Sequence, residues 1–174
     1  MKLKYLPDYL AKDIYSVPTS FYKEQGIKNL LIDLDNTLAP YYEKDPSAST
    51  KAFIDKLKNE GFKVFIASNN TGKRVKRFSR SLQVPCASSL RKPFAFKLKK
   101  LLIRYNLKRD ETLLLGDQVY TDVPTGKKSG IRVLLFHPLV EKDQIFTYFN
   151  RKREKKARKY LEKLNIPRIG GFNY

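Results

Sequence analysis

The chain has one cysteine and one histidine in 174 residues, and few acids beside its many bases. A lone thiol, Cys86, excludes a disulfide framework and a cysteine-rich zinc site. Cys86 sits in an apolar stretch and reads as a core side chain, since a reactive thiol needs surroundings that depress its pKa. His137 has no metal-ligand partner in the sequence, so a structural role is expected of it. Long apolar runs are missing as well: none approaches the roughly 20 residues that cross a bilayer. The basic start Met1-Lys2-Leu3-Lys4 is not followed by an apolar signal region. A cytoplasmic location is therefore the expectation. Internal repeats and low-complexity segments are also lacking.

Scarcity of acids has a consequence of its own. Asp and Glu number 17 against 36 Lys and Arg, a formal charge of +19. Such an excess favours polyanionic company, whether nucleic acid, anionic lipid or a phosphorylated substrate. A compositional bias toward solubility accounts for the same imbalance. Apolar residues make up 41% of the chain, enough for a folded protein, and the length suits one domain with a real core.

What is present is organised around Leu30-Leu31-Ile32-Asp33-Leu34-Asp35-Asn36-Thr37. An apolar run ends in two acids spaced so that, on a strand, both point the same way. Carboxylates so close repel each other and ask for a cation or a shared proton. An aspartate can also attack phosphorus. Taken alone, Asp-x-Asp is weak evidence, because paired acids are commonly just a solvated turn.

Around this stretch, hydrophobic periodicity predicts strands at 27–34, 62–67, 84–87, 112–115 and 131–136. Helices are expected at 19–25, at 50–60, from Gly72 with a buried stripe of Val75, Phe78 and Leu82, at 95–105 and from Asp122 to Gly130. Residues 1–27 read as an aromatic-rich lead-in, with Asp8 and Asp13 as turn or surface acids. Strands alternating with helices imply a parallel sheet of five strands covered on both faces. In such a sheet the strand ends Asp33, Ser68 and Asp117 share one edge, where these folds bind ligands. Lys92-Pro93 and Asp122 complete a set of nucleophile, phosphate anchor, cation and metal ligand. Tyr41-Tyr42 is close enough to the first acid pair to line an entrance.

Asp33-x-Asp35, Ser68-Asn69, Lys92-Pro93 and Gly116-Asp117 with Asp122 resemble, in order, the four motifs of the haloacid dehalogenase phosphatase superfamily. The chain looks closer still to the YqeG-type phosphatases of its IIIA class, relatives of phosphatidylglycerophosphate phosphatases. Leu6-Pro7-Asp8, Ile14 to Pro18, Pro138-Leu139-Val140 and Asn150-Arg151 extend the likeness over about 3–155. The resemblance implies a Rossmann-like fold in which Asp33 is nucleophile and Mg²⁺ ligand. It makes Asp35 the acid and base, with its backbone carbonyl on the metal. Ser68 and the Asn69 N–H would hold phosphate, and Lys92 would neutralise it. Asp117 would ligate Mg²⁺, and Asp122 would act on the metal through water or from behind. The implied substrate is a lipid phosphate monoester, phosphatidylglycerophosphate.

Too few residues separate the motifs for an inserted cap domain, so an open site is expected. Residues 61–109 hold 14 bases and no acid, and 151–174 hold nine bases against two acids. The latter stretch has a narrow apolar stripe at Ala157, Tyr160, Leu161 and Leu164. It reads either as a helix packed on the domain, 1–150, or as a peripheral anchor at the inner face of the membrane. Two alternatives to a lipid phosphatase stay open: a phosphatase of nucleic-acid ends, and a non-catalytic RNA- or ribosome-associated protein.

Overall fold

The computed structural model describes residues 3–140 and 148–171, without the side chains of 148–151. The side chains of the Asn150-Arg151 pair and the last three residues of the tail thus lie outside the described residues. Seven strands form one sheet: β1 (Tyr9–Ala11), β2 (Asn29–Ile32), β3 (Lys63–Ala67), β4 (Cys86–Ala87), β5 (Thr112–Gly116), β6 (Arg132–Phe136) and β7 (Arg168–Ile169). Their order is β4-β3-β2-β5-β6-β1-β7, and every pairing is parallel. The helices are α1 (Thr19–Glu24), α2 (Ala48–Asn59), α3 (Gly72–Leu82), α4 (Phe96–Arg104), α5 (Asp122–Ser129) and α6 (Tyr148–Glu162).

Both faces of the sheet are covered, which is why its central strands are apolar at consecutive positions. Leu30 and Ile32 of β2 point into one core with Ile54 and Leu57 of α2 and Val75 and Phe78 of α3. Leu31 points into the other, with Leu98, Leu101 and Leu102 of α4, Val123 of α5, and Ala157 and Leu161 of α6. Ser47 caps α2 by accepting the Thr50 N–H at 3.1 Å. Gly126 lets α5 press against the sheet, since a Cβ there would meet Val133 Cγ2 at 2.3 Å.

The expected five strands are all present, but the sheet has two more. β1 lies within the lead-in and pairs with β6, Leu10 opposite Leu135. β7 follows α6 and pairs with β1, Leu10 opposite Arg168. Asp8 starts this addition and is no mere surface acid. Its backbone N–H donates to Val133 O at 2.9 Å, and its carboxylate accepts from Val133 N at 2.7 Å and Lys127 Nζ at 2.6 Å. Asp13 does serve a turn, accepting the Ser16 N–H at 2.8 Å. Cys86 is partly buried against the core. His137 is half-buried, donates its backbone N–H to Lys12 O, and has its pKa lowered to about 4 by burial and by Arg158.

Candidate active site

Central strand β2 lies between β3 and β5, so its two neighbouring crossovers leave in opposite directions and open a crevice at the carboxyl edge. Asp33 stands there, its N–H still held by Leu115 O at 2.8 Å. The chain then turns at Asn36 (φ 64°), and Leu34 O accepts from the N–H groups of Leu38 and Ala39. β3 delivers Ser68, whose carbonyl accepts from Leu90 N, and β5 delivers Asp117. Gly116 must lack a side chain, because a Cβ would come within 2.3 Å of the Asp122 carboxyl carbon.

Four predicted side chains are brought together directly. Lys92 Nζ donates to Asp33 Oδ1 at 2.6 Å and to Asp122 Oδ1 at 2.7 Å, and all three residues are buried. Asp122 Oδ2 also accepts the Gln118 N–H at 3.0 Å. Asn69 pins the lysine's backbone: Lys92 N donates to Asn69 Oδ1 at 2.7 Å, and Asn69 Nδ2 to Lys92 O at 3.2 Å. Asp117 is reached from the first motif by Thr37, whose hydroxyl donates to Asp117 Oδ1 at 3.1 Å. A cleft of about 50 Å³ is lined by Asp33, Asp35, Ser68, Asn69, Lys92 and Asp122, together with Asn70, Gln118 and Thr121. Tyr41 and Tyr42 are not among the lining residues.

Asp35 is turned toward two residues whose contact with it the sequence does not signal. Asn70 Nδ2 donates to its Oδ2 at 2.8 Å, and Arg74 Nε to its Oδ1 at 2.8 Å. Arg74 also donates to Pro40 O at 3.0 Å and lies over the Phe78 ring. The available signal was its place one turn before Phe78, at the margin of the buried stripe of α3. Arg158 of α6 is a third omission, donating to the backbone carbonyl of Asp117.

Charge in the crevice is unbalanced: Asp33, Asp117 and Asp122 are buried beside one buried lysine. Burial raises the Asp33 pKa to about 7, with Lys92 opposing and Asp122 and Asp35 adding. Burial also holds Asp117 well above the usual carboxylate range, helped by repulsion from Asp122 and Asp33 and opposed by Arg158 and Thr37. For Lys92, burial works against the ammonium, but Asp122 and Asp33 more than reverse it and raise the pKa. Among the described residues, no three acid, histidine or cysteine side chains are gathered as a ready-made metal cluster. The donor chemistry nonetheless fits a hard divalent cation, since buried carboxylates under mutual repulsion are what such an ion neutralises.

A parallel α/β sheet with Asp-x-Asp leaving its central strand, and a buried lysine facing the first acid, defines a class of hydrolase. The family model for haloacid dehalogenase-like hydrolases matches residues 19–136, and the chain belongs to that family. It is 32% identical over 163 residues to "Probable phosphatase YqeG" of Bacillus subtilis (strain 168), covering 94% of this chain and 95% of that one. Identity is 22% over 150 residues to "Phosphatidylglycerophosphate phosphatase 1, chloroplastic/mitochondrial" of Arabidopsis thaliana, covering 81% of this chain and 43% of that protein. Among solved structures, 3-deoxy-D-manno-octulosonate 8-phosphate phosphatase from Moraxella catarrhalis, in complex with magnesium, phosphate and KDO, is similar in fold. Its TM-score is 0.53 at 16% identity, covering 67% of this chain and 72% of that one. The chain is thus an enzyme of the phosphatase type within its family.

Proposed function

We propose that the protein is a Mg²⁺-dependent phosphomonoester hydrolase that works through an aspartyl phosphate on Asp33, with phosphatidylglycerophosphate as its substrate. The observation that carries the chemistry is Asp33 in the cleft, its Oδ1 fixed by Lys92 at 2.6 Å. A carboxylate oxygen of Asp33 attacks phosphorus as the ester P–O bond breaks. Asp35 gives a proton to the departing oxygen, then takes one from the water that cleaves the acyl phosphate and frees inorganic phosphate. The Ser68 hydroxyl and the Asn69 N–H hold the phosphoryl oxygens, and Lys92 offsets their charge. Asp33, Asp117 and the Asp35 backbone carbonyl would hold Mg²⁺, with Asp122 orienting the set from behind. Bound there, the ion would draw charge from the phosphoryl oxygens and relieve the repulsion between the buried acids.

The lipid substrate is supported by the Arabidopsis relative and by the open site. Between Asp33 and Lys92 the chain forms only α2, β3, α3, β4 and their connecting loops, with no inserted domain. A large phosphate carrier can therefore approach, at a cytoplasmic location next to the membrane. The test is phosphate release by purified protein from phosphatidylglycerophosphate, 3′-phosphorylated oligonucleotides and free sugar phosphates, with and without Mg²⁺. Turnover concentrated on the lipid is expected. Turnover concentrated on the oligonucleotide would move the substrate to nucleic acid, and none on any substrate would leave a binding protein.

A further inference from the structure

Of the eight large hydrophobic side chains exposed among the described residues, four fall within 94–105, just beyond Lys92. Phe94 is 62% exposed, Phe96 47% and Ile103 78%. In α4, the exposed residues Phe96, Lys99, Lys100, Ile103 and Arg104 follow helical spacing and make one outward stripe. Its inward stripe, Leu98, Leu101 and Leu102, is already buried in the core. The helix is therefore apolar on two sides, and the outer side mixes large hydrophobic groups with bases and no acid. Lys128 joins it from α5, donating to Pro93 O at 3.1 Å with its ammonium 5.9 Å from the Phe94 ring. Phe94 is two residues from Lys92 in the chain, and the stripe of α4 begins four residues from it.

Exposed aromatic and aliphatic groups cost free energy in water unless something covers them. Charge narrows the choice of cover to an anionic partner, because residues 91–109, which are α4 and its flanks, hold eight bases and no acid. Bases of single-stranded nucleic acid would stack on Phe94 and Phe96 but would have no use for an aliphatic Ile103. A bilayer interface accepts both kinds of side chain, with lysine stems reaching the headgroups. The tail helix offers less, since Ala157 and Leu161 from its apolar stripe are buried in the core. We propose that the outward stripe of α4, with Phe94 at its site end, docks the protein on an anionic lipid bilayer. Docking there brings the cleft to the membrane surface. For the purpose of that placement the inference rests on the lipid-phosphatase reading, but the binding itself is measured without turnover.

The experiment is co-sedimentation with phosphatidylcholine vesicles, with and without phosphatidylglycerol, at low and raised salt. Wild type is compared with Phe96→Ser/Ile103→Ser and with Lys99→Glu/Lys100→Glu. Both variants should keep their melting temperature and their turnover of a soluble aryl phosphate. Each should lose roughly tenfold or more of the affinity for anionic vesicles, and salt should release wild type. Neutral vesicles should bind little of any form. Variants that bind anionic vesicles like wild type would overturn the docking surface and leave the phosphatase reading intact. Wild type that ignores vesicles but binds a single-stranded oligonucleotide through these residues would assign the stripe to nucleic acid. Vesicle binding that depends on α4, without hydrolysis of phosphatidylglycerophosphate, would uphold the docking and remove the substrate.

Discussion

Arg74 donates its Nε hydrogen to Asp35 Oδ1 at 2.8 Å and so ties the second acid of the Asp-x-Asp pair to the first turn of α3. With Asn70 on Oδ2, both carboxylate oxygens are held. The Arg74 side chain is only 15% exposed, so this is a packed contact and not a surface ion pair.

In the role proposed for it, Asp35 serves two successive proton transfers and gains from being held in one place. Arg74→Ala should lower kcat/KM for an alkyl phosphate by about 10²-fold, near the low end of general acid–base effects. For an aryl phosphate, whose leaving group needs no proton, kcat/KM should fall far less. Arg74→Lys should recover part of the loss. Equal losses on both esters would mean that Arg74 only supports the Ser68 loop.

Lys92 gives a second prediction, this time about stability. Its side chain is 2% exposed and bridges Asp33 and Asp122. Removing it strands two buried carboxylates, a change that costs about 3–5 kcal/mol. Urea unfolding of Lys92→Met at pH 8.5, above the Asp33 pKa of about 7, should report a loss of that order. Lys92→Met/Asp33→Asn should be more stable than the single variant, because one of the stranded charges is gone. A single variant as stable as wild type would show the bridge to be energetically idle.

Five strands were legible because each carries its own signal, such as Leu30 to Ile32 or Val133 to Phe136 bounded by polar or glycine residues. The other two carry none. β1 and β7 have three and two residues, and their pairing is supplied by the free edge of β6 and by Asp8. The site shows the same division. Asp33, Ser68, Lys92 and Asp117 could be read from strand ends and ordered motifs, whereas Asn70 and Arg74 could not. An arginine at the margin of an amphipathic helix looks the same whether it faces water or an acid 39 residues earlier. Glu154 and Arg158 were hidden in the same way among the nine bases of the tail.

A third prediction follows from the raised pKa of Asp33, about 7, caused first by burial. An unfolded aspartate titrates near 3.9, so the metal-free fold holds a proton that the unfolded chain has lost. The associated stability is fully present below about pH 4 and is lost as pH rises through about 7. Mg²⁺ must displace that proton, so it should bind more tightly as pH rises. The upward shift in melting temperature on adding Mg²⁺ should therefore grow from pH 5.5 to 8. In Asp33→Asn the shift should be smaller and flatter with pH. A shift independent of pH in wild type would detach Asp33 from the metal.

The fourth prediction concerns α6. Its Glu154 accepts the backbone N–H groups of Val119 and Tyr120 at 3.0 and 2.9 Å, in the loop that joins Asp117 to Asp122. One turn on, Arg158 donates to the Asp117 carbonyl, and Ala157 and Leu161 are buried in the core. An anchor dispensable to the fold would leave soluble turnover untouched when removed. These contacts predict instead that deleting 150–174 destabilises the protein and lowers turnover of every substrate. Point changes separate the causes. Leu161→Ala should cost about 2–5 kcal/mol through the cavity it leaves. Glu154→Gln, which keeps the shape but removes the charge accepting two N–H groups, should cost about 1.5–3 kcal/mol. Because that loop carries two acids of the site, Glu154→Gln should also weaken Mg²⁺ activation more than Leu161→Ala does. Exposed Lys155→Glu/Lys156→Glu should stay within about 0.5 kcal/mol of wild type per site. A truncated protein that melts at the wild-type temperature and hydrolyses an aryl phosphate at the wild-type rate would show that α6 holds nothing in place.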